Sequence, residues 1–103
     1  MPTWVKVAQA GDLSLGAGMV VEAKAHTIAL FNVDGTFYAI DNTCTHVGGP
    51  LGDGAIEGEI VSCPWHGAGF SVKTGAVTNP PARAAVRRFP VKVEGSDVLV
   101  EVD

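Results

Sequence analysis

Apolar residues along this chain alternate with polar ones over short runs, and glycine, proline and aspartate punctuate the runs. A period of two is that of a half-buried strand, not of a helix. Trp4 to Ala8 reads as a first strand, followed by a loop at Asp12-Leu13 and the Gly-Ala-Gly of residues 16 to 18. Met19 to Ala23 and Thr27 to Asn32 read as strands rich in Val, Ile and Phe. Asp34-Gly35 is a hairpin signal, because glycine takes φ > 0 without steric penalty, and Thr36 to Ile40 pairs back. Glu57-Gly58-Glu59 turns again, Ile60 to Ser62 leads into Cys63, and Ala68 to Val72 leads away. In the tail Phe89, Val91 and Val93 alternate, then Val98, Val100 and Val102 after Glu94 to Asp97, which predicts one closing hairpin.

No helical periodicity of three turns or more is present, so the expected fold class is all-β. Short connections between alternating segments imply antiparallel sheets in a sandwich or partial barrel. Trp4 and Phe89 are expected to fill its core, and the lone His26 to be solvated at a strand start. At 103 residues the chain is expected to form a single domain over residues 1–103. Residues 44 to 71 stand out as a glycine-dense unit between outer strands.

Composition narrows the class further. A hydrophobic fraction of 47% is that of a globular protein. No twenty-residue apolar run exists and no secretory signal is read at the N-terminus, so the expectation is no membrane segment and a reducing cytoplasm. The net charge of −4 is unevenly spread. Between Lys24 and Lys73 there is no Lys or Arg, while Asp34, Asp41, Asp53, Glu57 and Glu59 fall there. Such a stretch is either solvated loop charge or a negative surface that meets positive partners. With no basic stripe carrying interleaved aromatics, no nucleic-acid partner is expected. Nucleophile motifs, phosphate loops, dinucleotide fingerprints and a recognisable acid–base pair among Asp12, Asp53 and Glu57 are all missing from the sequence.

The chemistry is concentrated in one pattern. Cys44-Thr45-His46 is followed, sixteen residues on, by Cys63-Pro64-Trp65-His66. Both cysteines and two of the three histidines are used. A disulfide between the cysteines is conceivable, but a histidine beside each favours metal. Two thiolates and two imidazoles suit iron–sulfur clusters and zinc alike.

The segment C-T-H-V-G-G-P-L-G-D-G…V-S-C-P-W-H-G-A-G-F resembles the two cluster-binding loops of a Rieske protein, and the K-T-G turn at Lys73 to Gly75 and P-P-A at Pro80 to Ala82 extend the match. The resemblance implies one [2Fe–2S] cluster, one iron held by Cys44 and Cys63 and the other by His46 and His66. It implies an antiparallel β-sandwich base carrying a small cluster-binding subdomain, residues 41–72, formed by the two ligand loops. The histidine-held iron would lie near solvent and serve as the electron's exit. Glycines 48, 49, 52, 54, 67 and 69 would let the backbone approach the cluster or turn tightly. Pro50, Leu51, Pro64 and Trp65 would give apolar cover, and Pro80-Pro81 a shielding third loop.

Departures from the family pattern imply the low-potential type. High-potential members cross-link the loops through two further cysteines, where this chain has Gly49 and Trp65. Those members also donate hydroxyl hydrogen bonds at positions that are Ala68 and Phe70 here. Fewer donors leave more negative charge on the reduced cluster and lower its potential.

Three functions compete at this point. The first is a one-electron carrier, a monomer passing electrons from a flavin-dependent NAD(P)H reductase to the terminal oxygenase of an aromatic-ring dioxygenase system. It would be a component rather than a catalyst, since a mononuclear iron site of two His and a carboxylate cannot be built once only His26 remains. The second is a small relay subunit of another oxidoreductase such as nitrite reductase. The third is a zinc-stabilised binding module on the same four ligands.

Overall fold

The computed structural model describes residues 3–43, 49–65, 67–80 and 84–102. Its strands are β1 (Thr3–Gln9), β2 (Gly18–Ala23), β3 (His26–Val33), β4 (Thr36–Asp41), β5 (Ala55–Glu57) and β6 (Ile60–Ser62), then β7 (Gly69–Ser71), β8 (Val77–Asn79), β9 (Arg88–Phe89), β10 (Val91–Glu94) and β11 (Asp97–Val102). Short 3₁₀ turns at Ala10–Asp12 and Leu51–Asp53 complete the described elements. Every strand pairing is antiparallel, as the alternation predicts.

Three sheets result, in the orders β1-β11-β10, β2-β3-β4-β9 and β5-β6-β7-β8. The second sheet is the middle layer, and β3 shows why. Its run Ile28-Ala29-Leu30-Phe31 is entirely buried. Because side chains alternate faces, Ile28 and Leu30 join one apolar core and Ala29 and Phe31 the other. The first core packs Val98, Val100 and Val102 of β11 against the middle sheet. The second packs Leu51, Val61, Cys63, Ala68, Phe70 and Val72 against its opposite face. A candidate ligand is thus part of the apolar seam that fastens the third sheet to the base.

The hairpin at Asp34-Gly35 forms as expected. Both residues have positive φ (53° and 91°), the combination of a two-residue turn matched to strand twist. Buried Asn32 pins it, accepting the Gly35 N–H at 2.9 Å while donating to the Leu13 carbonyl at 2.9 Å.

Three expectations need correction. The tail is not one hairpin strand from Phe89 to Val93. Proline at position 90 has no N–H to donate to a ladder, and there the chain changes sheets. Phe89 pairs with Ala39 of β4 and Val91 with Val100 of β11. Trp4 belongs to neither core; it sits opposite Glu101 on the outward face, half-buried under the Lys92 ammonium 4.4 Å from its ring. His26 is not simply solvated: its ring and that of Phe89 form a T-shaped pair with centroids 5.3 Å apart. Phe89 itself is buried as expected.

Candidate metal centre

The two candidate ligand loops are gripped at their necks by hydrogen bonds. The second loop is the simpler. β6 and β7 pair Val61 with Phe70 and Ser62 with Gly69. One step further the Cys63 N–H donates to the Ala68 carbonyl at 2.7 Å, and the Cys63 carbonyl accepts the Gly67 N–H at 3.0 Å. Gly67 has φ of 75°, a conformation costly for any residue with a Cβ. Cys63 therefore follows the end of the β6–β7 ladder directly, buried at 2% exposure in the core, while Trp65 beyond it on the loop is 57% exposed.

The first loop is closed by Asn42. Its N–H donates to the Thr27 carbonyl at 3.1 Å, its carbonyl accepts the Leu51 N–H at 2.7 Å, and its buried Oδ1 accepts the Gly52 N–H at 2.7 Å. Thr43 bridges to Pro50, and the Thr43 N–H donates to Asp41 Oδ1 at 2.9 Å. Asn42 is a positioning residue that sequence reading missed; no motif marks it, only its place immediately before the Cys44 loop. Asn42→Ala strands the buried Gly52 N–H, at a cost of about 1–3 kcal/mol. Chemical denaturation should show that loss, and an unchanged midpoint would contradict the role assigned to Asn42.

The loops meet at Gly49. A Cβ built there would lie 2.5 Å from Cys63 Sγ and 3.2 Å from Cγ and Cδ2 of Trp65. Gly49 is buried, and the space beside it belongs to the thiol and the indole. Of the expected ligands Cys44, His46, Cys63 and His66, only Cys63 lies within the described residues. Cys44, His46 and His66 lie outside them, as do Pro81, Ala82 and Gly48. The donor chemistry nevertheless fits a thiolate-bound metal group: a free, buried sulfur faces a cradle that only glycine leaves open.

Of the four residues expected to give apolar cover, Leu51 is fully buried and Pro50 half-buried, while Pro64 and Trp65 face solvent. Ala68 and Phe70 are fully buried core residues whose side chains offer no hydroxyl. The turn at Lys73 to Gly75 is built on buried Ser71, whose Oγ accepts the Lys73 and Thr74 N–H groups at 3.3 and 3.4 Å. Lys73 pairs with Glu59 at 3.2 Å. The hydrogen bond and charge of Glu59 hold the exposed Lys73 ammonium above the ordinary lysine pKa, with Tyr38 and Asp34 adding to the effect. A raised lysine pKa stabilises the fold while Lys73 is charged, and that contribution is lost as pH rises through the raised value. Among the described residues no helix is long and apolar enough to cross a membrane.

Comparison with known proteins agrees with this construction. The biphenyl dioxygenase ferredoxin subunit of Pseudomonas sp. is 36% identical over 100 residues, 96% of this chain and 92% of that one. The ferredoxin component of biphenyl 2,3-dioxygenase from Rhodococcus jostii is 39% identical over 98 residues, covering 95% and 92%. Among solved structures, a chain from the complex of reduced oxygenase and oxidized ferredoxin in carbazole 1,9a-dioxygenase superposes with a TM-score of 0.89 at 35% identity, covering 94% of this chain and 91% of that one. The model of the Rieske [2Fe-2S] domain matches residues 3–90, and the chain belongs to that family.

Proposed function

We propose that this chain is the ferredoxin of an aromatic-ring dioxygenase system, a carrier rather than a catalyst, with Cys44, His46, Cys63 and His66 holding one Rieske-type [2Fe–2S] cluster. The observation that carries the reading is the buried Cys63 thiol, fixed at the end of a strand ladder against a glycine that has no room for a Cβ. A cluster on two thiolates and two imidazoles supplies one reversibly held electron, at a potential between about −150 and +300 mV. The chain's own residues do the rest. The β6–β7 ladder fixes the Cys63 sulfur, Asn42 closes the first loop, and the apolar seam through Leu51, Phe70 and Val72 keeps water from the sulfur side.

The electron source is a flavin-dependent NAD(P)H reductase and the acceptor a terminal oxygenase. The relatives named above are ferredoxin parts of biphenyl and carbazole dioxygenase systems, which supports this placement over nitrite reductase or a zinc module. The chain works as a cytoplasmic monomer, its third sheet and two ligand loops forming the cluster-bearing part of one domain.

Reconstitution tests the proposal. NADH, a flavin-dependent reductase, this holoprotein and the oxygenase of a biphenyl-type system should consume oxygen and substrate. Omitting the chain, or substituting Cys63→Ser, should stop turnover. A holoprotein that the reductase reduces but that no biphenyl- or naphthalene-type oxygenase reoxidises would refute the assignment.

A further inference from the structure

We infer that Trp65 is a non-covalent latch between the two ligand loops, a positioning residue that holds the second loop against the first by seating its indole on Gly49. The inference rests on the ligand assignment proposed above for its functional meaning, but its geometry does not. Trp65 lies on the second loop, two residues after Cys63, and Gly49 ends the first loop, one residue before the neck at Pro50. The would-be Cβ of Gly49 lies 3.2 Å from two atoms of the indole and 2.5 Å from Cys63 Sγ, so the space a side chain would take at this buried glycine is filled by two residues of the second loop.

An indole that is 57% exposed is unusual for so large an apolar side chain. The Cγ–Cδ2 side of the indole lies over Gly49 of the other loop. Tryptophan suits this contact because its ring is wide, flat and fixed by two torsions, so little freedom is lost in ordering it. Glycine suits it because no Cβ separates the backbone from the ring. Each loop is already closed at its own neck, Asn42 for the first and the Cys63–Ala68 pair for the second. Leu51 of the first neck and Cys63 and Ala68 of the second share one apolar core, and the Gly49–Trp65 approach adds a link between the loops at the level of the thiol.

The test uses the holoprotein, with Trp65→Ala and Trp65→Phe. Removing the ring should speed cluster loss to an iron chelator about tenfold, and phenylalanine should recover most of the difference. The second readout is amide exchange at the necks. In Trp65→Ala, exchange at Leu51 N–H in the first loop should rise together with Gly67 N–H in the second. Exchange that rises only at Gly67 would show a role confined to its own loop and overturn the latch, as would an unchanged rate of cluster loss. Should the unsubstituted protein contain no iron–sulfur cluster, the ligand assignment falls while exchange at Leu51 still decides the latch.

Discussion

Gly49→Ala is expected to abolish cluster incorporation while leaving the β framework folded. The added methyl would lie 2.5 Å from Cys63 Sγ, against the roughly 3.5 Å or more that non-bonded heavy atoms require. Sulfur or methyl must therefore move by about 1 Å, whereas metal–ligand distances tolerate only about 0.2 Å. The Cys63 backbone is tied by its N–H to Ala68 and by its carbonyl to Gly67, so the sulfur can yield only by turning about its own χ1, out of its place beside Gly49. The methyl cannot yield cheaply, because the loop leaving Gly49 is fastened at Pro50 and Leu51 to the Thr43 and Asn42 neck. Iron content and visible absorbance measure the result directly. Gly11→Ala is the control, since nothing lies within 4 Å of the Cβ it would add. That variant should keep its full complement of iron. A fully loaded Gly49→Ala protein would show that Cys63 does not hold a metal group at the described position.

Gly75→Ala is expected to destabilise the fold strongly. Gly75 has φ of 80°, and a Cβ there would collide with the carbonyl oxygen of Val86. The collision is with backbone, so no rotamer relieves it. Gly75 is also held on both sides, its N–H donating to the Ser71 carbonyl at 2.8 Å and its own carbonyl accepting the Val86 N–H at 2.9 Å. Left-handed backbone for a residue with a Cβ and forced overpacking together cost about 2–5 kcal/mol. Val86 shares its core with Cys63, so the loss should appear both as a lower denaturation midpoint and as weaker retention of iron. A midpoint within experimental error of the unsubstituted protein would contradict it.

The sequence made the strands readable where period and turn chemistry agreed. Ile60 to Ser62 and the Asp34-Gly35 hairpin stand where alternation and a positive-φ glycine put them. It misled where a local rule was overridden at a distance. Phe89 to Val93 alternates like one strand, yet Pro90 divides it between two sheets. Val77–Asn79 pairs with β7 as β8, although the sequence reading marks no strand there. Trp4 is apolar, but the register of β1 against β11 places it opposite Glu101 on the outer face. The proposed ligand set was drawn from the sequence because few residues carry soft-metal chemistry and all four stand in one pattern, but only Cys63 of the four lies within the described residues. Their support was not legible there. Asn42 acts through hydrogen bonds to residues nine and ten positions on and to a neighbouring strand, a relation no local spacing encodes. The contact of Gly49 with Trp65 likewise exists only once both loops are folded.

Low-temperature EPR of the dithionite-reduced protein, on a sample whose iron and zinc have been counted, tests the central claim most directly. The account predicts two irons per chain and a rhombic [2Fe–2S] signal with average g below the free-electron value, lost in Cys63→Ser. A colourless, EPR-silent protein carrying one zinc per chain would contradict it and leave a small structural binding domain in place of an electron carrier.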